Sequence, residues 1–276
     1  MILTIDAEAV STQGVVSLDQ TQQNRSVFSQ PSSVALIALG VLSIGFWWSS
    51  ASMMRGMSAM PMSGDSMSAD WSFGTTLGTA LMWLIMMIAM MLPASAPVIA
   101  TYTKLSAKEA SGTALASRAG MFGIGYLGVW GAIAIILGML QLLLRESNFF
   151  TMMGTKATPL AAGILLVIAG AWQLTAIKDF CLQHCRHPVT FLIGHWRDGA
   201  VGALRMGVHH GLYCVGCCIA LMGLMFVFGA MSLFWMAVIA AYFLAEKTLP
   251  RAEIWGRWIG IGLIAAGLFV TIRATL

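Results

Sequence analysis

The densest group of chemically capable side chains is GVHHGLYCVGCC, residues 207–218. His210 and Cys214 are four positions apart, Cys214 and Cys217 three, and Cys214 and Cys218 four. On an α-helix these spacings put the side chains on one face, a turn above one another. Soft thiolates with an imidazole suit copper(I), zinc(II) or an iron–sulfur cluster. His209 points about 100° away from His210 and is the weaker candidate. One buried cysteine is only a small apolar residue. Three in five positions, one turn after a histidine, favour ligation or redox chemistry over packing.

A second group, KDFCLQHCRHP, spans residues 178–188. Cys181 and Cys185 are i,i+4 if a helix continues there, and His184 and His187 lie within the same stretch. Four N/S ligands make a tetrahedral site, but one short segment rarely supplies all four. A pair from here meeting a pair from 207–218 is sterically easier. Glu246, at the end of an apolar run, is the acidic residue best placed to join them as a metal or proton partner. The plainer reading pairs it with Lys247 or Arg205. Lys178 and Asp179 read as interfacial anchors.

A third feature is MMRGMSAMPMSGDSM, residues 53–67, six methionines without a compensating apolar period. Thioether is a soft ligand that favours copper(I), which makes Met57, Met60 and Met62 candidate ligands. Met82, Met86 and Met90, spaced by four, read as core packing before a conduit.

The elements that must position these groups are set by composition. The chain has 276 residues, 58% apolar and 9% charged, with a mean hydropathy of +0.82. Ordinary soluble domains are about 25% charged. A water-soluble fold, a disordered chain and a secreted disulfide scaffold are therefore excluded, and five cysteines do not pair evenly. The expected fold is all-α, a polytopic transmembrane helical bundle. Residues 1–32 are polar and read as a disordered tail, residues 33–276 as the transmembrane domain, with 52–74 a methionine-rich loop. Apolar runs of about 20 residues cross a hydrocarbon core of ~30 Å. They fall at 33–51, 75–92, 120–144, 159–177 and 258–271. The uncharged stretch 206–245 would run ~60 Å as one helix, twice the bilayer. It must fold back, most simply near Gly229–Ser232, which predicts seven helices. The first run reads as a signal-anchor, because the polar segment before it is too long for a signal-peptide n-region.

Lys and Arg in alternate loops set the orientation. Arg25, Lys104, Lys108, Arg118, Lys178, Arg186, Arg197, Arg205, Lys247, Arg251 and Arg257 share the N-terminal side. Arg55, Arg145, Lys156 and Arg273 face the other. This bias predicts a cytoplasmic N-terminus, an extracytoplasmic C-terminus and an extracytoplasmic methionine-rich loop. With Arg205 at the cytoplasmic interface, the cysteines of 214–218 lie ~13–20 Å along the helix axis. Pro93 and Pro97 are expected to end or kink the second span. Gly207 with Gly211, Gly256 with Gly260, and Gly120, Gly123, Gly128 and Gly131 read as close helix contacts. No phosphate-binding loop, dinucleotide fingerprint, nucleophile elbow or zinc-protease motif is present, and CVGCC is not a covalent-haem motif. Fifteen cations give no nucleic-acid footprint.

The segments WLIMMIAMMLPASAPVI (83–99), CLQHCRHPVTFL (181–192), GVHHGLYCVGCCIALM (207–222) and GAMSLFWMAVIAAYFLAEKTLP (229–250) resemble a bacterial family of predicted metal-binding integral membrane proteins. The resemblance implies a multi-span domain of the inner membrane, with metal binding at Cys181, Cys185, His210, Cys214, Cys217 and Cys218, and no assigned reaction. The methionine-rich loop lies outside that pattern, so copper in particular rests on this sequence alone. The leading expectation is a membrane protein that binds a soft transition metal, copper before zinc, for transport or delivery to a membrane metalloenzyme or metallochaperone. A membrane thiol–disulfide oxidoreductase using the Cys214-x-x-Cys217 pair is one alternative. A non-catalytic assembly subunit is another.

Overall fold

The computed structural model describes residues 31–59, 73–144, 157–229 and 232–276, and every regular element among them is an α-helix. The expected tail up to residue 30, and Met60 and Met62 of the loop, lie outside the described residues. Helix α1 (Pro31–Ala59) runs past the expected boundary at residue 51. Met57 therefore sits on its final turns, within a helix and not in a loop.

Helix α2 (Phe73–Ser106) passes through both Pro93 and Pro97 instead of ending before them. Pro93 has no N–H to give to the carbonyl four residues back. That carbonyl, Ala89 O, accepts instead from the Trp47 indole of α1 at 2.9 Å. A neighbouring helix supplies the missing donor, which is how membrane helices tolerate proline.

Helix α3 (Gly112–Leu144) follows. Helix α4 (Pro159–Gln173) breaks at Leu174–Thr175, where Thr175 caps the next helix, α5 (Ala176–Arg186), by accepting from the Lys178 amide at 3.3 Å. The two helices are bent by 64°. The short α6 (Pro188–Gly194) leads to α7 (Gly199–Met222), which continues after Gly223 as α8 (Leu224–Phe228). The chain then reverses at Gly229, whose φ of 97° a β-carbon would strain, into α9 (Leu233–Thr248). The expected fold-back falls here. Helix α10 (Ala252–Thr275) completes the chain.

Five stretches among the described residues are long and apolar enough to cross a bilayer, and the bent α4–α5 pair makes a sixth. The expected seventh, α9, has 16 residues, or ~24 Å, too short to span unaided. Its polar end instead turns inward. The outward faces of α1, α3, α4 and α10 carry exposed Ile37, Ile44, Ile136, Ile168 and Phe269, a surface that only lipid satisfies. This is a membrane protein.

Glycine sets the two closest crossings. A β-carbon on Gly207 of α7 would run into the Phe122 backbone of α3, and one on Gly170 of α4 would lie 2.6 Å from the Gly260 carbonyl of α10. On α3 the crowded position is Gly125, whereas the expected Gly131 is in ordinary van der Waals contact with Leu84. The expected Gly120, Gly123 and Gly128 face open space, because they lie on the side of α3 turned from its neighbours.

Candidate metal centre

The centre forms where α5, α7 and α9 meet α2 and α3. Helix α7 presents Cys214, Cys217 and Cys218 on its buried face, each no more than 1% exposed. The bend after α4 swings α5 across α7 and brings in Cys185, also buried. The ligand atoms of Cys185, Cys214 and Cys217 all lie within 4.8 Å of one another. Cys185 Sγ is 3.9 Å from Cys217 Sγ, and Cys218 Sγ is 3.3 Å from Cys217 Sγ. Two separate segments thus converge on one cluster of sulfur, and all the cysteines are unpaired by disulfides. Thiols this close in a dry interior form a soft, multidentate cage.

Three groups that the sequence did not single out complete the surroundings. Lys247 of α9 donates from Nζ to Cys214 Sγ at 3.0 Å, although the sequence placed it at the membrane edge. The Tyr126 hydroxyl of α3 lies 3.1 Å from the same sulfur and donates to the Met91 carbonyl at 3.3 Å. Met91 of α2 brings its thioether to 4.0 Å from Cys214 Sγ. Only tertiary contact reveals these roles. The one linear trace was the Glu246–Lys247 dipeptide, charged and adjoining an apolar run.

The remaining candidates are not members of the group of Cys185, Cys214 and Cys217. His210 is buried in a ring of Phe122, Tyr126 and Phe191, with centroids 5.2–6.3 Å away, and its Nδ1 has no hydrogen-bond partner among the described residues. His184 stacks on Tyr213 at 4.2 Å, and its Nδ1 meets the Phe180 carbonyl at 2.8 Å. Cys181 is half-buried against Gly216, one turn before Cys185 but outside the sulfur group. Exposed His209 packs near His195.

Glu246 is buried, but it faces a different partner. Its carboxylate pairs with Lys178 Nζ and accepts from the Tyr242 hydroxyl at 2.8 Å. Gln173 donates to that same hydroxyl at 3.2 Å. The expectation that Lys178 is an interfacial anchor is therefore overturned: it is 1% exposed and neutralises Glu246 inside the bundle. Asp179 does stay near the surface, 3.7 Å from Arg257.

A family model described as PpoB2, copper chaperone, matches residues 80–270. The chain belongs to this copper chaperone family. The matched range carries all three clustered sulfurs, Lys247, Tyr126 and Met91, whereas α1 and the methionine-rich stretch fall outside it. No curated protein and no solved structure matches the chain. The copper chaperone family and the buried cysteine cluster make copper-related metal handling the property of this chain, with the metal ion as a partner.

Proposed function

We propose that Cys185, Cys214 and Cys217 hold copper(I) inside the bundle and pass it to an acceptor protein, with copper as cargo. The observation that carries this reading is the convergence of three buried sulfurs from α5 and α7 within 4.8 Å, in a chain of a copper chaperone family. Thiolates are soft ligands suited to copper(I). Charge supports the same choice. Two thiolates, the Lys247 ammonium and one monovalent ion sum to zero, and net charge inside a bilayer is costly. Loading forms Cu–S bonds and releases the displaced thiol protons to solvent. Release to an acceptor exchanges one set of sulfur ligands for another, and copper stays copper(I) throughout.

His210 stands as a support for α7 in this scheme, and Cys218 as a neighbouring sulfur available during exchange. With Lys178 and Lys247 set aside as buried inside the bundle, the remaining bias of Lys and Arg among the loops favours an inner-membrane protein with its N-terminus in the cytoplasm. A membrane metalloenzyme or a soluble metallochaperone is the fitting acceptor.

Elemental analysis of the purified chain tests the proposal. Near-stoichiometric copper is expected, lost in Cys214→Ser/Cys217→Ser. A metal-free chain with every thiol titratable overturns it. A mobility shift driven by oxidation of the 214–217 pair, without metal, would instead support the thiol–disulfide alternative.

A further inference from the structure

The interior of the bundle is built from methionine where its lipid face is built from Ile, Leu and Val. Met86, Met87, Met90, Met91, Met222, Met225 and Met236 are at most 2% exposed and share one core cluster with the cysteines. Among the described large apolar side chains facing outward, Met139 is the one methionine. Leucine fills a core of this kind equally well and specifies it better. Something beyond volume therefore distinguishes the two regions.

Spacing by itself reads as packing. Two contacts change that by fixing the register of α2 against α7–α8. Met91 meets Cys214 at 4.0 Å, and eight residues earlier Trp83 meets Phe226, with ring centroids 5.1 Å apart. The helices are therefore antiparallel. Met86, Met87 and Met90 of α2, and Met222 and Met225 of α7–α8, fall between those two levels. The column spans ~12 Å along α2 and ~18 Å along α7–α8, and has the cysteine cluster at one end. Its other end points toward the start of α2, the end joined in sequence to the methionine-rich stretch 53–67.

We propose that this thioether column is the route by which copper(I) reaches and leaves the cysteine cluster. The inference rests on copper occupying that cluster. A bare cation in hydrocarbon costs tens of kcal/mol, so a leucine-lined path would be closed to it. Thioethers are soft, neutral ligands without a proton to lose. Each step breaks one Cu–S bond as another forms. No electron or proton moves, and only the +1 of the ion travels.

The test compares wild-type chain in nanodiscs with Met86→Leu/Met87→Leu/Met90→Leu, a volume-conserving change that a purely structural role tolerates. The probe is copper(I) supplied as its bicinchoninate complex, and loading is followed by thiolate-to-copper absorbance. The triple variant is expected to reach the same final occupancy and melting temperature while loading at least about tenfold more slowly. Met139→Leu, outside the column, should load at the wild-type rate. A second readout avoids reliance on rates. In selenomethionine-labelled chain with the cysteines replaced by serine, copper absorption spectra should show selenium neighbours that are lost when Met86, Met87, Met90, Met91, Met222 and Met225 are all replaced by leucine. Unchanged loading rate in the triple variant, or selenium scattering that survives all six substitutions, overturns the column alone. A wild-type chain that takes up no copper overturns both the column and the cysteine site.

Discussion

Lys247 sets its ammonium 3.0 Å from the sulfur of Cys214, while the preceding residue, Glu246, turns to Lys178. Two adjacent residues on α9 thus serve two separate buried partners. One pair is carboxylate and ammonium, closed on itself. The other sets a cation against a thiol that has a second sulfur group nearby, and so leaves a charge able to balance a bound ion with its thiolates.

Replacing Lys247 with Gln keeps a donor but removes that charge. Charge-assisted hydrogen bonds contribute about 1.5–3 kcal/mol, so copper(I) affinity should fall roughly tenfold or more. Lys247→Arg should rescue only in part, since a planar fork does not fit a place shaped for a point charge. Competition titration against a copper(I) chelator reads both. Wild-type affinity in Lys247→Gln would show that the ammonium has no part in holding the ion.

The Lys178–Glu246 pair should behave as a structural lock. Removing one partner of a buried pair costs about 3–5 kcal/mol, because the other charge is left uncompensated. Lys178→Met and Glu246→Gln should each lower the melting temperature markedly, and the double variant should lose less than the two combined. Copper occupancy of whatever fraction stays folded should be unchanged. Additive losses in the thermal measurements would mean the two groups act independently.

His210 separates what spacing implies from what the structure assembles. Its ring fills an aromatic pocket beside Phe191 instead of joining the sulfur group. His210→Phe should therefore retain copper affinity within about twofold, well under the tenfold that 1.4 kcal/mol represents. Loss of the metal in that variant, with the fold intact by circular dichroism, would restore the imidazole as a ligand. Cys181→Ala should likewise keep its copper, and Cys181, the half-buried thiol, should be the first to react with a maleimide.

Much of the fold was legible because a bilayer imposes coarse rules. Apolar length gave the helices, and forty uncharged residues demanded the reversal that Gly229 makes. The rule fails where a helix continues through polar or proline-bearing sequence: α2 crosses Pro93 because Trp47, on another helix, covers the orphaned Ala89 carbonyl. At the centre, i,i+3 and i,i+4 spacing correctly put Cys214, Cys217 and Cys218 on one buried face, since that is a local property of α7. That the 178–188 segment would join them was expected from ligand number, but which of its two thiols reaches in was not local. It depended on the 64° bend at Leu174–Thr175, which carries Cys185 inward and leaves Cys181 half-exposed. Lys178, Glu246 and Lys247 were misplaced for a related reason. A charged residue at the end of an apolar run reads as interfacial unless a buried opposite charge or thiol awaits it, and sequence order does not reveal that partner.

The crossing of α3 and α7 ties packing to the site, and it can be tested without touching a sulfur. Gly207 abuts the Phe122 backbone, so a methyl there must push the helices apart, whereas Gly120, two residues before Phe122 on α3, has open space. Gly207→Ala should destabilise by about 1–3 kcal/mol through overpacking. Gly120→Ala should be neutral or stabilise by up to about 1 kcal/mol, because alanine favours a helix over glycine. Tyr126 lies one turn beyond Phe122 on α3, and its hydroxyl is 3.1 Å from Cys214 Sγ. Separating the helices withdraws it. Gly207→Ala should consequently weaken copper binding as well as lower the melting temperature, and Gly120→Ala should do neither. If both variants melt alike, the close approach of α3 and α7 is not what holds Tyr126 against Cys214.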